Sequence, residues 1–336
     1  MTNDRVRPAV LVSRRLPSAA MEMLTARADL DVWDGPGAMP RAELLARAAG
    51  KDGLVVLLTE RIDGELLDAA GPQLRVVANY AVGYDNVDVA ECSRRGIAVT
   101  NTPDVLTEAT ADLTWALLLA CGRRIAEGDR WLRARRPWIW APEFLLGVEL
   151  WGRALGIVGF GRIGQAVARR APGFGMTVLY TAAHRLEAAR ERELGVAWRD
   201  LDALLAEADV VSLHVPLRPE TRHLIDAARL RRMKPGAILL NTARGPLVDE
   251  AALASALQAG ELFAAGLDVF EREPEVHPDL LDCDNATLVP HLGSATVETR
   301  TAMGLRAAEN LLAALDGRRP PHLVNDPGGP ALRGQG

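Results

Sequence analysis

The run Leu155-Gly-Ile-Val-Gly159-Phe160-Gly161-Arg162-Ile163-Gly164 constrains this chain more than any other. A short apolar stretch turns through Gly-x-Gly-x-x-Gly into a helical pattern, which is a strand–turn–helix. Gly159 permits the tight turn, Gly161 lets the backbone approach a pyrophosphate, and Gly164 allows close packing of helix on strand. The helix N-terminus then offers unpaired N–H groups and a positive dipole end to the anion. The motif alone does not separate NAD(P), FAD and S-adenosylmethionine.

The same rhythm fills the chain. Apolar runs recur at 9–12, 54–58, 74–78, 97–99, 155–158, 178–180, 210–213, 238–240 and 288–289. They are continuous rather than alternating, as a parallel sheet covered on both faces requires. Helical patterns such as Arg162–Arg170, Leu201–Glu207 and Glu250–Ala259 lie between them. The expectation is an α/β fold of two Rossmann-like or flavodoxin-like domains with parallel sheets. Two stretches break the rhythm. Residues 107–133 read as one long helix with Thr107 as N-cap, and 294–316 as a second, ending at Gly317. These helices are expected to join a discontinuous substrate domain, 1–101 plus 293–336, to a dinucleotide-binding domain, 102–292. The active site is expected in the cleft between them. The tail from Asn325 to Gly336 is rich in Gly and Pro and reads as frayed.

Composition narrows the function classes. Lys and Arg total 39 against 44 Asp and Glu, for a net charge of −5. A mildly acidic chain is a poor partner for nucleic acid or an anionic membrane. No apolar run approaches the ~20 residues that span a bilayer, and no export pattern opens the chain, so the expected location is the cytoplasm. Cys92, Cys121 and Cys283 are too few and scattered for a disulfide framework or a zinc site, and no metal is expected.

Three downstream segments carry chemistry. Asn241-Thr242-Ala243-Arg244-Gly245 puts an Arg just past a strand. Gly266-Leu-Asp268-Val-Phe-Glu271-Arg-Glu273 puts carboxylates past the next. Pro290-His291-Leu-Gly293 puts a His past the last. Strand C-terminal ends are where open α/β sheets form their ligand crevice. Arg presents a planar fork that grips a carboxylate and polarises an adjacent carbonyl. His donates a proton as hydride arrives, and a neighbouring carboxylate favours its protonated form. Together they suit reduction of a 2-oxo acid.

With Val77-Ala-Asn-Tyr-Ala-Val82-Gly83-Tyr-Asp-Asn86, Val99-Thr-Asn-Thr-Pro103, Leu106-Thr-Glu-Ala-Thr-Ala-Asp112, Ser212-Leu-His-Val215-Pro216 and Met233-Lys-Pro-Gly, these motifs cover nearly the whole chain. The chain resembles the D-isomer-specific 2-hydroxyacid dehydrogenases. The Asn79–Asn86 loop and Trp140-Ala-Pro-Glu-Phe-Leu-Leu-Gly147 make it most similar to the glyoxylate/hydroxypyruvate reductase branch. The resemblance implies Arg244 as substrate-binding residue, His291 as proton donor and Glu273 as its partner, the spacing favouring Glu273 over Glu271. It also implies substrate-carboxylate binding by the Val82 and Gly83 amides. Asp268 is implied to hold the nicotinamide carboxamide. Thr181, His184, Arg185, Val215, Pro216, Thr242, Ala243 and Gly293 join the glycine turn as cofactor contacts.

The segment after the second strand of the nucleotide unit departs from the branch. NADP-using relatives carry Ser or Gly followed by Arg where this chain has Ala182-Ala183, and NAD-using relatives carry Asp at the first position. No carboxylate stands there to repel a 2′-phosphate, and Arg185 is left as its partner. The reading is NADP preferred, NAD tolerated. His214 reads as a structural cap near the adenine side. Trp131, Trp138, Trp140 and Trp151 cluster in a long connection, which suggests packing or an interface. In similar reductases this region lies in the dimer contact, so a homodimer through 107–150 is expected, with Trp140 reaching the partner's site. Rival readings are another D-2-hydroxyacid dehydrogenase, acting on D-3-phosphoglycerate, D-lactate or phosphite, or a dinucleotide-sensing corepressor-like protein.

Overall fold

The computed structural model describes residues 7–327. In chain order it forms β1 (Ala9–Val12), α1 (Ser18–Thr25), β2 (Asp29–Val32), α2 (Arg41–Ala48), β3 (Gly53–Val56), α3 (Gly64–Ala70), β4 (Val76–Asn79), α4 (Val89–Arg94) and β5 (Ala98–Thr100). There follow α5 (Thr107–Gly122), α6 (Ile125–Arg133), β6 (Ala154–Val158), α7 (Arg162–Arg170), β7 (Thr177–Thr181), α8 (Ala188–Leu194), β8 (Val196–Trp198), α9 (Leu201–Glu207) and β9 (Val210–Leu213). The remainder is α10 (Ala227–Leu230), β10 (Ala237–Asn241), α11 (Glu250–Gln258), β11 (Leu262–Leu267), α12 (Pro278–Leu281), β12 (Ala286–Leu288) and α13 (Val297–Leu315).

Two compact units result, Met1–Leu106 with Thr296–Gly336, and Thr107–Ala295. The first holds a five-stranded sheet in the order β2-β1-β3-β4-β5, and the second a seven-stranded sheet in the order β12-β11-β10-β9-β6-β7-β8. Among the described residues every pairing between these strands is parallel. The apolar runs explain this. In β10, Leu239 faces one core while Ile238 and Leu240 face the other, so both sides of the strand are buried. In β1, Val10 and Val12 share one core and Leu11 the opposite one.

Asp side chains start many helices. Asp63, Asp88, Asp200, Asp226 and Asp249 each accept an N–H from the first turn of α3, α4, α9, α10 and α11. Such caps contribute about 1 kcal/mol apiece. Thr296 does the same for α13. The helix expected over 107–133 is two helices. Arg124 takes a left-handed φ of 51°, which ends α5 and starts α6, and its guanidinium grips Glu127 with two hydrogen bonds of 2.7 Å. Gly317, at φ 74°, closes α13 as expected.

The crossings between units fall slightly later than the expected 101/102 and 292/293. Thr102 N donates to Ala81 O (2.8 Å) and Asn310 Nδ2 to Asn101 O (3.0 Å), which keeps 101–102 with the first unit. The amides of Leu292 and Gly293 donate to Asp268, which keeps them with the second. By packing, α5 belongs with β10, β11 and α7, and α13 with α1, β3 and β4. The frayed tail expected from Asn325 lies outside the described residues from 328 onward. Asn325 itself is fixed: Oδ1 accepts Val99 N (2.8 Å), and Nδ2 donates to Ile97 O and Ser93 Oγ (2.9 Å each). Among the described residues no helix is long and apolar enough to cross a membrane.

The α13–β3 contact gives a test of the first unit. Leu311 is fully buried, and a Cβ on Gly53 would stand 3.0 Å from its Cδ1. Leu311→Ala is expected to lower stability by about 2–5 kcal/mol. Gly53→Ala crowds Leu311 and is expected to cost less in the Leu311→Ala background than in wild type, with a coupling of about 1 kcal/mol in urea unfolding.

Candidate functional site

The nucleotide turn sits where strand order reverses in the seven-stranded sheet, between β6 and β9. Gly159 has φ 96°, and a Cβ there would come within 2.6 Å of the His214 carbonyl. A Cβ on Gly164 would come within 2.2 Å of Gly159 O. Only glycine fits either position. Gly161, the N-cap of α7, has nothing within 4 Å of where a Cβ would stand. Two glycines therefore serve packing and one faces open space ahead of a helix N-terminus. That cradle fits the pyrophosphate of a dinucleotide.

The side chains around the turn divide. Phe160 has its ring and its backbone on different duties. Its ring is buried against Tyr180 at 4.4 Å, so only its backbone belongs to the turn. Ile163 likewise packs against the core, while Arg162 is exposed. Thr181 O accepts Gly159 N (2.9 Å), fixing the end of β7 beside the turn. His184 is exposed. Arg185, read as a phosphate partner, makes two hydrogen bonds to Glu191 on α8 (2.9 and 3.0 Å) and lies over the Trp198 ring. Glu191 also accepts the Tyr180 hydroxyl (2.8 Å), and these three hydrogen bonds, Arg185's foremost, hold its carboxyl below the usual range. The Arg185 side chain is still 58% exposed. His214 receives or donates a 2.8 Å bond with Ser212 Oγ, and burial pushes it down to about 4. It is a neutral ring of the β9 end, with Val215 and Pro216 following it towards the turn.

The second group of residues follows β10, β11 and β12. Asn241 shapes the Arg244 turn: its Oδ1 accepts Ala243 N (3.0 Å) and its Nδ2 donates to Arg244 O (2.8 Å). The Arg244 guanidinium donates to Ala243 O (2.8 Å). Glu273 Oε2 lies 2.8 Å from His291 Nδ1, and its Oε1 accepts Phe270 N (3.0 Å). Burial pushes the Glu273 carboxyl up, but His291, the Phe270 amide and the Arg244 charge outweigh it and hold it below the usual range. An ionised Glu273 fixes a proton on Nδ1 and leaves Nε2 as the nitrogen that can give one away. Both side chains are about one-third exposed, so the pair is reachable.

His291 has φ 53°, a conformation that non-glycine residues adopt rarely. Its N–H donates to Asp268 O (2.9 Å). The Asp268 carboxylate accepts the next two amides, Leu292 N and Gly293 N (2.8 Å for the latter). Burial pushes the Asp268 carboxyl up to about 6, against the lowering effect of those amides and of His291. Asp268 thus grips the chain that carries His291, a role the sequence reading did not give it.

Sequence reasoning missed two threonines. Thr110 Oγ1 donates to Gly293 O (3.0 Å), and Thr114 Oγ1 pairs with Thr242 Oγ1 (2.9 Å). Both stand on the buried face of α5, four residues apart, where they read as helix core; only their hydroxyls hinted otherwise. Glu271 turns away from His291 and meets His223 Nε2 (2.9 Å). In the first unit, Val82 O accepts Asn101 Nδ2 and Gly83 O accepts Asn79 Nδ2 (2.8 Å each), so the loop's carbonyls are tied back. The tryptophans do not form one cluster. Trp131 packs edge-on against Phe144 (5.4 Å), Trp151 lies beside Gly175 yet is exposed, and Trp138 and Trp140 are exposed too, Trp140 at 85%.

The family model for the NAD binding domain of D-isomer specific 2-hydroxyacid dehydrogenases matches residues 115–293. The chain is 49% identical over 324 residues to a glyoxylate reductase of Thermococcus onnurineus, spanning 95% of this chain and 96% of that one. It is similar to a solved protein of Thermus thermophilus (TM-score 0.88, 50% identity, 94% of this chain and 100% of that one). It is also similar to an NADPH-dependent glyoxylate/hydroxypyruvate reductase of Sinorhizobium meliloti solved with NADP and malonate (TM-score 0.81, 35% identity, 95% and 97% covered). The glycine turn, the Arg244 turn and the Glu273–His291 pair lie on a chain that belongs to the D-isomer-specific 2-hydroxyacid dehydrogenase family.

Proposed function

We propose that this protein reduces glyoxylate and hydroxypyruvate to glycolate and D-glycerate, using NADPH in preference to NADH. The observation that carries the reading is the Glu273–His291 hydrogen bond beside the Arg244 turn and the open Gly161 cradle. Relatives about half identical to this chain are named glyoxylate reductase.

The bound dinucleotide supplies the hydride, which reaches the carbonyl carbon. His291 gives the proton at Nε2 to the carbonyl oxygen, and Glu273 steadies the ring as it changes charge. Arg244 grips the substrate carboxylate and polarises the carbonyl. The Val82 and Gly83 amides bind the same carboxylate. The Gly159–Gly164 turn, with Thr181, Val215, Pro216, Thr242, Ala243 and Gly293, holds the dinucleotide, and Asp268 takes the carboxamide. In this reading the unit of 107–295 binds dinucleotide, while the unit of 1–106 with 296–336 forms the substrate domain.

The NADPH preference rests on Ala182-Ala183, which place no carboxylate after β7, and on the exposed Arg185. A 2′-phosphate there competes with Glu191 for the guanidinium. The protein works in the cytoplasm as a homodimer through 107–150. Exposed Trp138, Ile139, Trp140 and Leu146 support that surface, and Trp140 reaches the partner's site.

Purified protein is expected to oxidise NADPH with glyoxylate, and His291→Ala to lower kcat by about 10²–10⁴-fold; full activity in the variant removes the mechanism. Arg185→Ala is expected to raise KM for NADPH about tenfold, the worth of one charge-assisted contact, and to leave KM for NADH unchanged. A wild-type preference for NADH contradicts the phosphate role. Asp268 binds its proton up to about pH 6 in the free protein, so its contribution to stability is complete below about pH 4 and is lost as pH rises through 6. A carboxamide N–H donated to Asp268 favours the ionised form. NADH affinity, followed by fluorescence, should therefore strengthen from pH 5 to pH 7.5, and a flat profile contradicts the contact.

A further inference from the structure

Three segments of the second unit bring its reactive groups together: the turn with Arg244, the loop with Asp268 and Glu273, and the stretch with His291. Asp268 ties the second to the third. The first is tied to the second by two carboxylates that the reaction above does not use. Glu250, the first residue of α11, accepts the Glu271 amide at Oε1 (2.7 Å). Glu271 returns the contact, its Oε1 accepting the Glu250 amide (3.2 Å). Its Oε2 meets His223 Nε2 (2.9 Å) and Arg222 (3.3 Å).

Between them the chain after Arg244 lies flat on the loop. A Cβ on Gly245 would stand 1.9 Å from the Phe270 carbonyl carbon and 2.4 Å from Glu271 N. Glu250 is only 5% exposed. Burial, and the charge of Glu271 with it, pushes the Glu250 carboxyl up, against the Glu271 amide and nearby His277. A buried carboxylate beside a half-buried one is unfavourable as a pair of charges. What they contribute is geometry: each holds the other's backbone.

We infer that Glu250 and Glu271 are positioning residues for the reaction, their reciprocal clasp holding the Arg244 turn against the loop that presents Glu273 to His291. This rests on the roles proposed above for Arg244, Glu273 and His291. The clasp does not touch substrate or dinucleotide. It sets where Glu273 stands, two residues beyond Glu271.

The test is steady-state reduction of glyoxylate by Glu271→Ala, Glu271→Asp and Glu271→Gln, with His291→Ala alongside. Ala removes the acceptor for the Glu250 amide, Asp withdraws it by one methylene while keeping its charge, and Gln keeps an oxygen in place. Ala and Asp are expected to lower kcat about 10- to 100-fold, the cost of misplacing a catalytic group by about 1 Å, and to leave KM for the dinucleotide unchanged. Gln should restore most of kcat. Wild-type kcat in Ala and Asp overturns the inference, as does a Gln variant as impaired as Ala. If Ala does not fold, the contrast between Asp and Gln decides in the same way. Full activity in His291→Ala instead removes the roles on which the inference stands, whatever the Glu271 variants do.

Discussion

The active end of the second unit depends on one buried carboxylate. Asp268 stands at the end of β11 and accepts the amides of Leu292 and Gly293, while its own carbonyl accepts the amide of His291. That grip holds His291 at a φ of 53°, where few residues rest without support. Without it, the segment that aims Nδ1 at Glu273 would lose its anchor. Burial that pushes the Asp268 carboxyl up to about 6 is a destabilising feature at neutral pH. It is the kind of local cost that a site accepts in return for a fixed geometry.

The sheet explains why the groups meet. Parallel strands all end on one side, so turns after β6, β7, β9, β10, β11 and β12 project together. The strands are buried on both faces, which leaves their interiors no role but packing. Chemistry is confined to the residues just past each strand, and Gly159, Gly245 and Gly164 let those turns approach more closely than side chains permit. The Glu250–Glu271 clasp belongs to the same design, since it fixes two turns against each other through backbone amides.

Much of this was legible in the sequence. The glycine turn is a local string, and continuous apolar runs mark parallel strands. Arg244 and His291 lie a few residues past such runs. What was not legible has physical reasons. β2 (Asp29–Val32) is an edge strand with alternating acids, and β8 (Val196–Trp198) is a three-residue edge, so neither carries the buried-strand pattern. The break at Arg124 needs a left-handed φ on a residue that does not announce one. The partner of Arg185 lies six residues away on α8, a contact set by the fold rather than by composition. Spacing separated Glu273 from Glu271, but only the folded chain gives Glu271 its own partners. Thr110 and Thr114 have no local pattern that marks them, and their hydroxyls acquire meaning only with Gly293 and Thr242 opposite.

At the centre of the mechanism, His291 acts as a proton donor poised by Glu273. The direct measurement is kcat for glyoxylate in wild type and in Glu273→Gln, which keeps a side-chain oxygen near Nδ1 but removes the charge. The expected result is a kcat lowered about 10- to 100-fold, a part of one full general-acid contribution, with KM for the dinucleotide unchanged. A variant with wild-type kcat would contradict the role of the pair.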